Sequence, residues 1–452
     1  GVKQIYQGAW NPIMGLTDTY SRHIWGIISD PGTFKHPFTG ETFPVRVDWQ
    51  VETAGPNDKL TVPQKAIIWN PTLQKWENIS QGTVATSKVT FDFKFSNWHN
   101  GEMMDMNDIL YSLYFTIDWG TQVDKNDKTF DTEYTPRAAQ MIESIIGVNQ
   151  IDADTLEVYV DYWHFDEGEI AEWGDTWSVM PWEISVAMEK AVIDGKVSFS
   201  RSGATSKNIN WLSLIVPNDA ILIKNYLQEF KEENYIPIAF KNENKNSEYY
   251  QNRYDSSINW IENNNHAVIS NGPFYLESYA PESRTITVKA FEDDTYPFKI
   301  GKWSEFENVQ FPIIKKIDLK KVIMKGDELK IGIKTVNSDS ILYFLTNNEG
   351  ELIESEKIKV NDENMIINVS VEKTEKLGMG ANNIKIFAMS NSVLKPDYYE
   401  SSFIVTNEKI ELPTSGIDGI EFTENKEDNI IWIIPIIVIV GIIIYLKKRQ
   451  SQ

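Results

Sequence analysis

The chain contains no cysteine, which removes several kinds of chemistry at once. Disulfides, thiolate catalysis and cysteine-based zinc or iron–sulfur sites are excluded. Histidine is scarce. The five are His23, His36, His99, His164 and His266, far apart in sequence, and the paired spacing of zinc peptidases is absent. Basic residues are outnumbered, 43 Lys and Arg against 65 Asp and Glu, for a net charge of −22 over 452 residues. Phosphate binding needs a basic surface, so nucleic acid is excluded as a partner. The acidic balance itself reads as a solvated surface.

Charge of either sign is missing from Ile430 to Leu446. At about 1.5 Å per residue this run spans roughly 25 Å. That is a little short of a hydrocarbon core of about 30 Å, and Lys447, Lys448 and Arg449 can extend it by snorkelling. A buried core helix is the rival reading. A terminal apolar run ending in a basic cluster is read here as a membrane anchor. The positive-inside rule places the tail, 448–452, in the cytoplasm and everything before Asn429 outside the cell. No signal peptide is visible, and Gly1 is read as a processed or truncated end.

The remainder is ordinary folded protein, with 24% charged and 41% hydrophobic residues and room for two or three domains. Its most legible stretch is Lys88 to Trp119. Val89, Phe91, Phe93 and Phe95 alternate with polar residues, which predicts a strand with one apolar face. Asn97-Trp98-His99-Asn100-Gly101 predicts a turn. Asp105 or Asn107 then caps a helix carrying Ile109, Leu110, Leu113, Tyr114 and Ile117 on one stripe.

This strand–turn–helix resembles a motif of the family 5 extracellular solute-binding proteins, which serve peptide- and nickel-type ABC importers. The family pattern T-F-x-L-R, W-x-D-G, A-x-D-V is matched by Thr90-Phe91-Asp92-Phe93-Lys94, Trp98-His99-Asn100-Gly101 and Met106-Asn107-Asp108-Ile109. Lys94 stands for Arg and Asn100 for Asp. A second family segment, G-P-Y-x-L followed by I-x-L-x-x-N, is similar to Asn271 to Leu276 and Ile286 to Phe291. The resemblance covers roughly residues 1–300. It implies a mixed α+β lobe of the periplasmic-binding-protein type that captures a peptide or small solute for an ABC permease and ATPase. In the family a second lobe follows the Gly-Pro-Tyr strand. Here the chain leaves no room for one before Ile313, so that lobe is expected upstream of Gly1 or lost. Gly101 and Gly272-Pro273 are read as structural turns.

Asp161 to Trp182 is the least ordinary composition, with Tyr, Trp, His and Phe among Asp and Glu. Such a mixture suits either a ligand pocket or an aromatic core with an acidic rim. The pocket reading names Trp98, Asp161, Trp163, His164, Trp173, Trp177 and Trp182 as ligand-binding residues. His164 and Glu167 lie one helical turn apart, but no second histidine is near. Catalytic carboxylates cannot be singled out among 65 acids. No catalytic residue, metal ligand or cofactor is assigned, and the chain is expected not to be an enzyme.

Residues 183–265 read as mostly helical. Pro217 opens one helix, Ser247 caps another and Asn263 to Asn265 stop it. From Ile313 short alternating strands separated by turns predict an immunoglobulin-like β-sandwich. The expected organisation is a solute-binding lobe over 1–312, the sandwich over 313–407, an acidic flexible stalk over 408–428 and a single transmembrane helix over 429–447. Sandwich, stalk and anchor together resemble archaeal cell-surface proteins. Asn78 and Asn368 open possible glycosylation sequons. The function expected is that of a membrane-anchored extracellular binding subunit of an ABC importer. The alternative is a surface or envelope structural protein built on the same fold.

Overall fold

The computed structural model describes residues 8–408, apart from 242–244 and 284. The expected transmembrane helix, the tail and all of the stalk beyond Glu408 lie outside the described residues. Among the described residues no helix is long and apolar enough to cross a membrane. Two compact units separate between Pro312 and Ile313. Asn337–Asp339 and Met389–Asp397 group with the first unit.

The first unit mixes helices with an antiparallel sheet of six strands. They are β1 (Val47–Thr53), β2 (Ile67–Asn70), β3 (Lys75–Asn78), β4 (Ser87–Phe93), β5 (Ile145–Gln150) and β6 (Thr155–Val160), in spatial order β1-β4-β6-β5-β2-β3. The alternation in β4 puts Val89, Phe91 and Phe93 into the core, while Asp92 faces water. Phe91 lies opposite Trp49 on one side and Leu156 on the other, so the central strand is flanked by apolar pairs.

The helices are α1 (Thr19–Ile28), α2 (Met106–Gly120), α3 (Tyr134–Ser144), α4 (Glu167–Gly174), α5 (Trp182–Ile193), α6 (Arg201–Lys207), α7 (Pro217–Glu232) and α8 (Ser247–Asn264). Asp105 caps α2 in a full capping box with Asp108. The sequence pattern predicts one apolar stripe on α2, but nearly every side of this helix is buried. The chain packs it on all sides, and the polar groups that go under mostly find partners. Asp118 accepts from Trp69 Nε1 at 2.8 Å and from Gln74 Nε2 at 2.7 Å. α3 packs so closely on α2 that a Cβ added at Gly120 would lie 2.0 Å from Ile142 Cδ1. At α8 the cap is Asn246, whose side chain accepts from the Tyr249 N–H, and Ser247 is the first helical residue. Asn265 ends α8 in the left-handed conformation at φ 59°, which Asn tolerates better than most residues.

One buried carboxyl in this core gives a pH-dependent expectation. Glu189 of α5 accepts from Tyr111 Oη at 2.6 Å and from Tyr114 Oη at 2.9 Å. Burial pushes its pKa up to about 7. The folded chain therefore holds this proton more tightly than the unfolded chain. The resulting stability is fully present below the ordinary glutamate range and is lost as pH rises through about 7. Glu189→Gln should gain on the parent by roughly 3 kcal/mol between pH 5 and pH 8. Urea midpoints of both proteins at the two pH values measure this.

The last two strands of the first unit form a hairpin of β7 (Phe274–Ala280) and β8 (Thr285–Ala290), antiparallel with Tyr275 opposite Lys289. Gly272, just before it, has no left-handed backbone. A Cβ there would lie 2.5 Å from Ile28 C and 2.6 Å from Ser29 N, so glycine is required by close approach to another backbone. Gly101 does take a turn conformation, at φ 89°.

The second unit consists of two sheets around one core. Its strands are β9 (Ile313–Leu319), β10 (Val322–Met324), β11 (Leu329–Val336), β12 (Ser340–Thr346), β13 (Leu352–Lys359), β14 (Asn364–Val369), β15 (Gly380–Met389) and β16 (Asp397–Thr406). One sheet runs β9-β11-β14, the other β10-β16-β15-β12-β13. β10 pairs parallel with β16, Val322 opposite Ile404. Leu329, Ile331, Ile333, Ile341, Tyr343, Leu345, Ile384, Ile386, Phe403 and Val405 fill the space between the sheets. The strict alternation of these positions is what one buried face per strand requires.

Candidate functional site

The loop between β4 and α2 is closed on itself. Trp98 N–H donates to Glu102 O and Gly101 N–H to Trp98 O, both at 2.8 Å. This presents His99 to the segment before the hairpin. His99 N–H donates to Ser270 O at 3.0 Å, and its Nδ1 accepts from Ser270 N–H at 3.3 Å. Its Nε2 lies 3.1 Å from Gly272 O. A neutral ring with the proton on Nε2 satisfies both contacts. Burial drives its pKa down to about 4, which keeps the ring neutral. His99 is thus a strut that joins the two motif segments, 171 residues apart.

Beneath the loop lies a buried ionic cluster. Arg253 of α8 reaches Asp108 of α2 with Nη2 at 2.6 Å and Nη1 at 3.3 Å. It reaches Glu183 of α5 with Nε at 2.9 Å and Nη2 at 2.8 Å. Asp108 also accepts from Trp98 Nε1 and from the Trp182 N–H. Ser257 Oγ donates to Glu183 at 2.8 Å, and Asn100 Nδ2 lies 3.4 Å from the same carboxylate oxygen. An Asp at position 100, as in the family pattern, would face Glu183 with like charge. Burial raises the pKa of Asp108 and of Glu183. Burial alone would loosen the Arg253 proton, but the two carboxylates outweigh it and hold that pKa well above its ordinary value. All three side chains are essentially shut off from water, so the cluster positions α2, α5, α8 and the loop and does not meet solute.

Above the cluster a groove of about 660 Å³ opens to solvent. One wall is α8, with Ser256, Asn259, Trp260, Asn263 and Asn264. His99 and Asn100 form a second side, and the hairpin contributes Tyr275 with Lys289 to Glu292. Tyr275, Lys289 and Phe291 share one face of the hairpin by pairing and period. The aromatic rings touch. His99 lies 5.0 Å from Phe291 and 6.3 Å from Trp260, and Trp260 lies 5.8 Å edge-on from Tyr275, all centroid to centroid. Trp260 Nε1 is buried and finds no acceptor in the described chain. An open groove with aromatic faces and convergent polar groups has the general form of a small-ligand site.

The seven residues named from sequence do not line this groove. Trp98 and Trp182 are fully buried, both bonded to Asp108. Trp177 stacks on Phe93 and Phe95, donates from Nε1 to Asp30 O, and carries the Arg46 guanidinium 5.3 Å from its ring centroid. Trp173 stacks on Tyr162 at 4.8 Å and donates to Ser144 Oγ. Asp161 pairs with Lys59, and Thr86 donates to it. Trp163 is partly exposed and His164 packs on exposed Phe165. The stretch is distributed over several environments, because each aromatic follows its own strand or helix to a different neighbour.

Reading the sequence did not find Arg253, Glu183, Trp260 or the α8 asparagines. Arg253 did leave a signal. It sits on the same turn of α8 as the buried Tyr250 and Tyr254, and an arginine inside an apolar stripe requires buried acids opposite. Among the described residues no group of three or more His, Asp or Glu is placed to hold a metal.

No family model matches the chain, and no curated protein matches it. Partial likenesses to solved structures include the ABC transporter-associated periplasmic binding protein DppA from Helicobacter pylori in complex with peptide STSA. It is 11% identical over 76% of this chain and 52% of that one, with a TM-score of 0.29. The chain therefore spans about half the length of the H. pylori protein. A lytic polysaccharide monooxygenase from Jonesia denitrificans is 12% identical over 24% of this chain and 87% of its own, at TM-score 0.16. A beta-glucosidase from Listeria innocua is 16% identical over 21% and 16%, at 0.14. At these scores none of the three bears on fold or function.

Proposed function

We propose that this chain is the extracellular solute-binding subunit of an ABC importer, capturing peptides or similar small solutes for a permease and its ATPase. The observation that supports this reading is the joint made by His99. Two segments chosen only for their resemblance to family 5 binding proteins meet there, and they border the same groove. In this reading the second unit is an immunoglobulin-like spacer. Its three-plus-five strand arrangement and the parallel β10–β16 edge are consistent with that. Residues 429–447 tether the protein as a single-pass anchor, with the bulk of the chain outside the cell and the C-terminus in the cytoplasm. No bond is made or broken, and no cofactor is used.

Calorimetric titration of the full chain in mild detergent with a panel of peptides and other small polar solutes tests the reading. Binding with a negative heat-capacity change, weakened about tenfold or more by Trp260→Ala, is the expected result. Heat that is absent for every solute, or unchanged in the variant, would remove the groove as a solute site.

A further inference from the structure

We propose that the groove along α8 takes a neutral, hydroxyl-rich ligand of the oligosaccharide class. This rests on the reading of the groove as the solute site and narrows it. The first observation is the kind of polar group present. Asn259 and Asn263 stand exposed one turn apart on the groove side of α8, and neither side chain is held by a hydrogen bond within the described chain. A carboxamide donates and accepts at the same place, as a sugar hydroxyl does. The second is charge. Lys289 and Glu292 are the formally charged residues of the lining and cancel, and Lys289 lies 3.8 Å from Glu277 on the paired strand. With the charges of its lining cancelling, the groove carries no net charge that calls for an ionic ligand, and a neutral one gives up no ionic hydration on entering it. The third is shape. Trp260, Tyr275 and Phe291 supply flat apolar faces beside those amides. A pyranose ring presents apolar C–H faces bordered by hydroxyl edges, which suits this alternation of ring and amide.

The test uses the full chain in mild detergent and follows tryptophan fluorescence. Cellohexaose and maltohexaose are titrated in parallel with a mixture of uncapped hexapeptides. The expected result is saturable binding of a hexasaccharide. Trp260→Ala should weaken it about tenfold or more, and the paired exposed changes Asn259→Ala and Asn263→Ala several-fold without moving the thermal midpoint. Peptide binding that is sensitive to Trp260→Ala, with both saccharides silent, would overturn the oligosaccharide class and leave the solute reading standing. Silence of both probe sets would overturn the two together. Saccharide binding untouched by all three substitutions would overturn the groove as its site.

Discussion

Replacing Arg253 with Met should destabilise the chain by about 3–5 kcal/mol, the largest effect expected of a single charge removal. The guanidinium is enclosed with Asp108 and Glu183, and taking it away leaves two buried carboxylates facing each other without a cation. Their proton affinity is already raised by burial and would rise further. A carboxyl whose folded pKa is raised destabilises the fold progressively as pH climbs above its unfolded value. The penalty in the variant should therefore shrink at pH 5 relative to pH 8, and urea midpoints at both values check the size and the sign. Replacing Asp108, Glu183 and Arg253 together by apolar residues of similar volume should recover much of the loss, since a buried ion cluster often contributes little net stability over packed hydrophobes. A single Arg253→Met change with no effect would mean that water reaches the cluster.

Trp98→Ala should cost a comparable 3–5 kcal/mol, roughly what deleting a buried aromatic side chain costs elsewhere. Trp98 is fully buried, and its indole N–H donates to Asp108, so the change opens a cavity and withdraws a donor from the same cluster. Trp163→Ala, by contrast, should stay within about 0.5 kcal/mol of the parent, because a partly exposed side chain leaves no cavity. The two residues were named on equal terms as ligand contacts from sequence, so the pair separates a core role from a surface one. Thermal midpoints measure it directly. Equal small losses for both would mean that Trp98 is not packed as described, and a large loss for Trp163 would mean that its neighbours hold it more tightly than its exposure suggests.

Some of this molecule was legible because the information is local. Strand β4 and helix α2 follow from alternation and capping within a few residues of each other. In the second unit β11, β12, β14, β15 and β16 follow the same rule, one apolar face per strand, whereas the runs at Ile313–Leu319 and Val322–Met324 were not picked out individually. At α8 the sequence reading put the cap on Ser247, and the structure puts it one residue earlier, on Asn246, because it is the Asn246 side chain that accepts from the Tyr249 N–H.

The sequence by itself settled the period of the main elements, the Asp105 cap of α2 and the Gly101 turn, and it pointed to two segments worth joining. It could not say what those segments touch, since contact depends on residues far apart in the chain. Only the tertiary structure brought His99 to Gly272 and set Arg253 between Asp108 and Glu183. The aromatic stretch from Asp161 to Trp182 looked like one site because it is one run of sequence. Its members went to separate neighbours, since burial is decided by the face each residue occupies. Asn259 was not singled out, and Asn263 was read only as part of the run that stops α8, for the complementary reason. Both line the groove because packing puts the hairpin face that begins at Tyr275 beside α8.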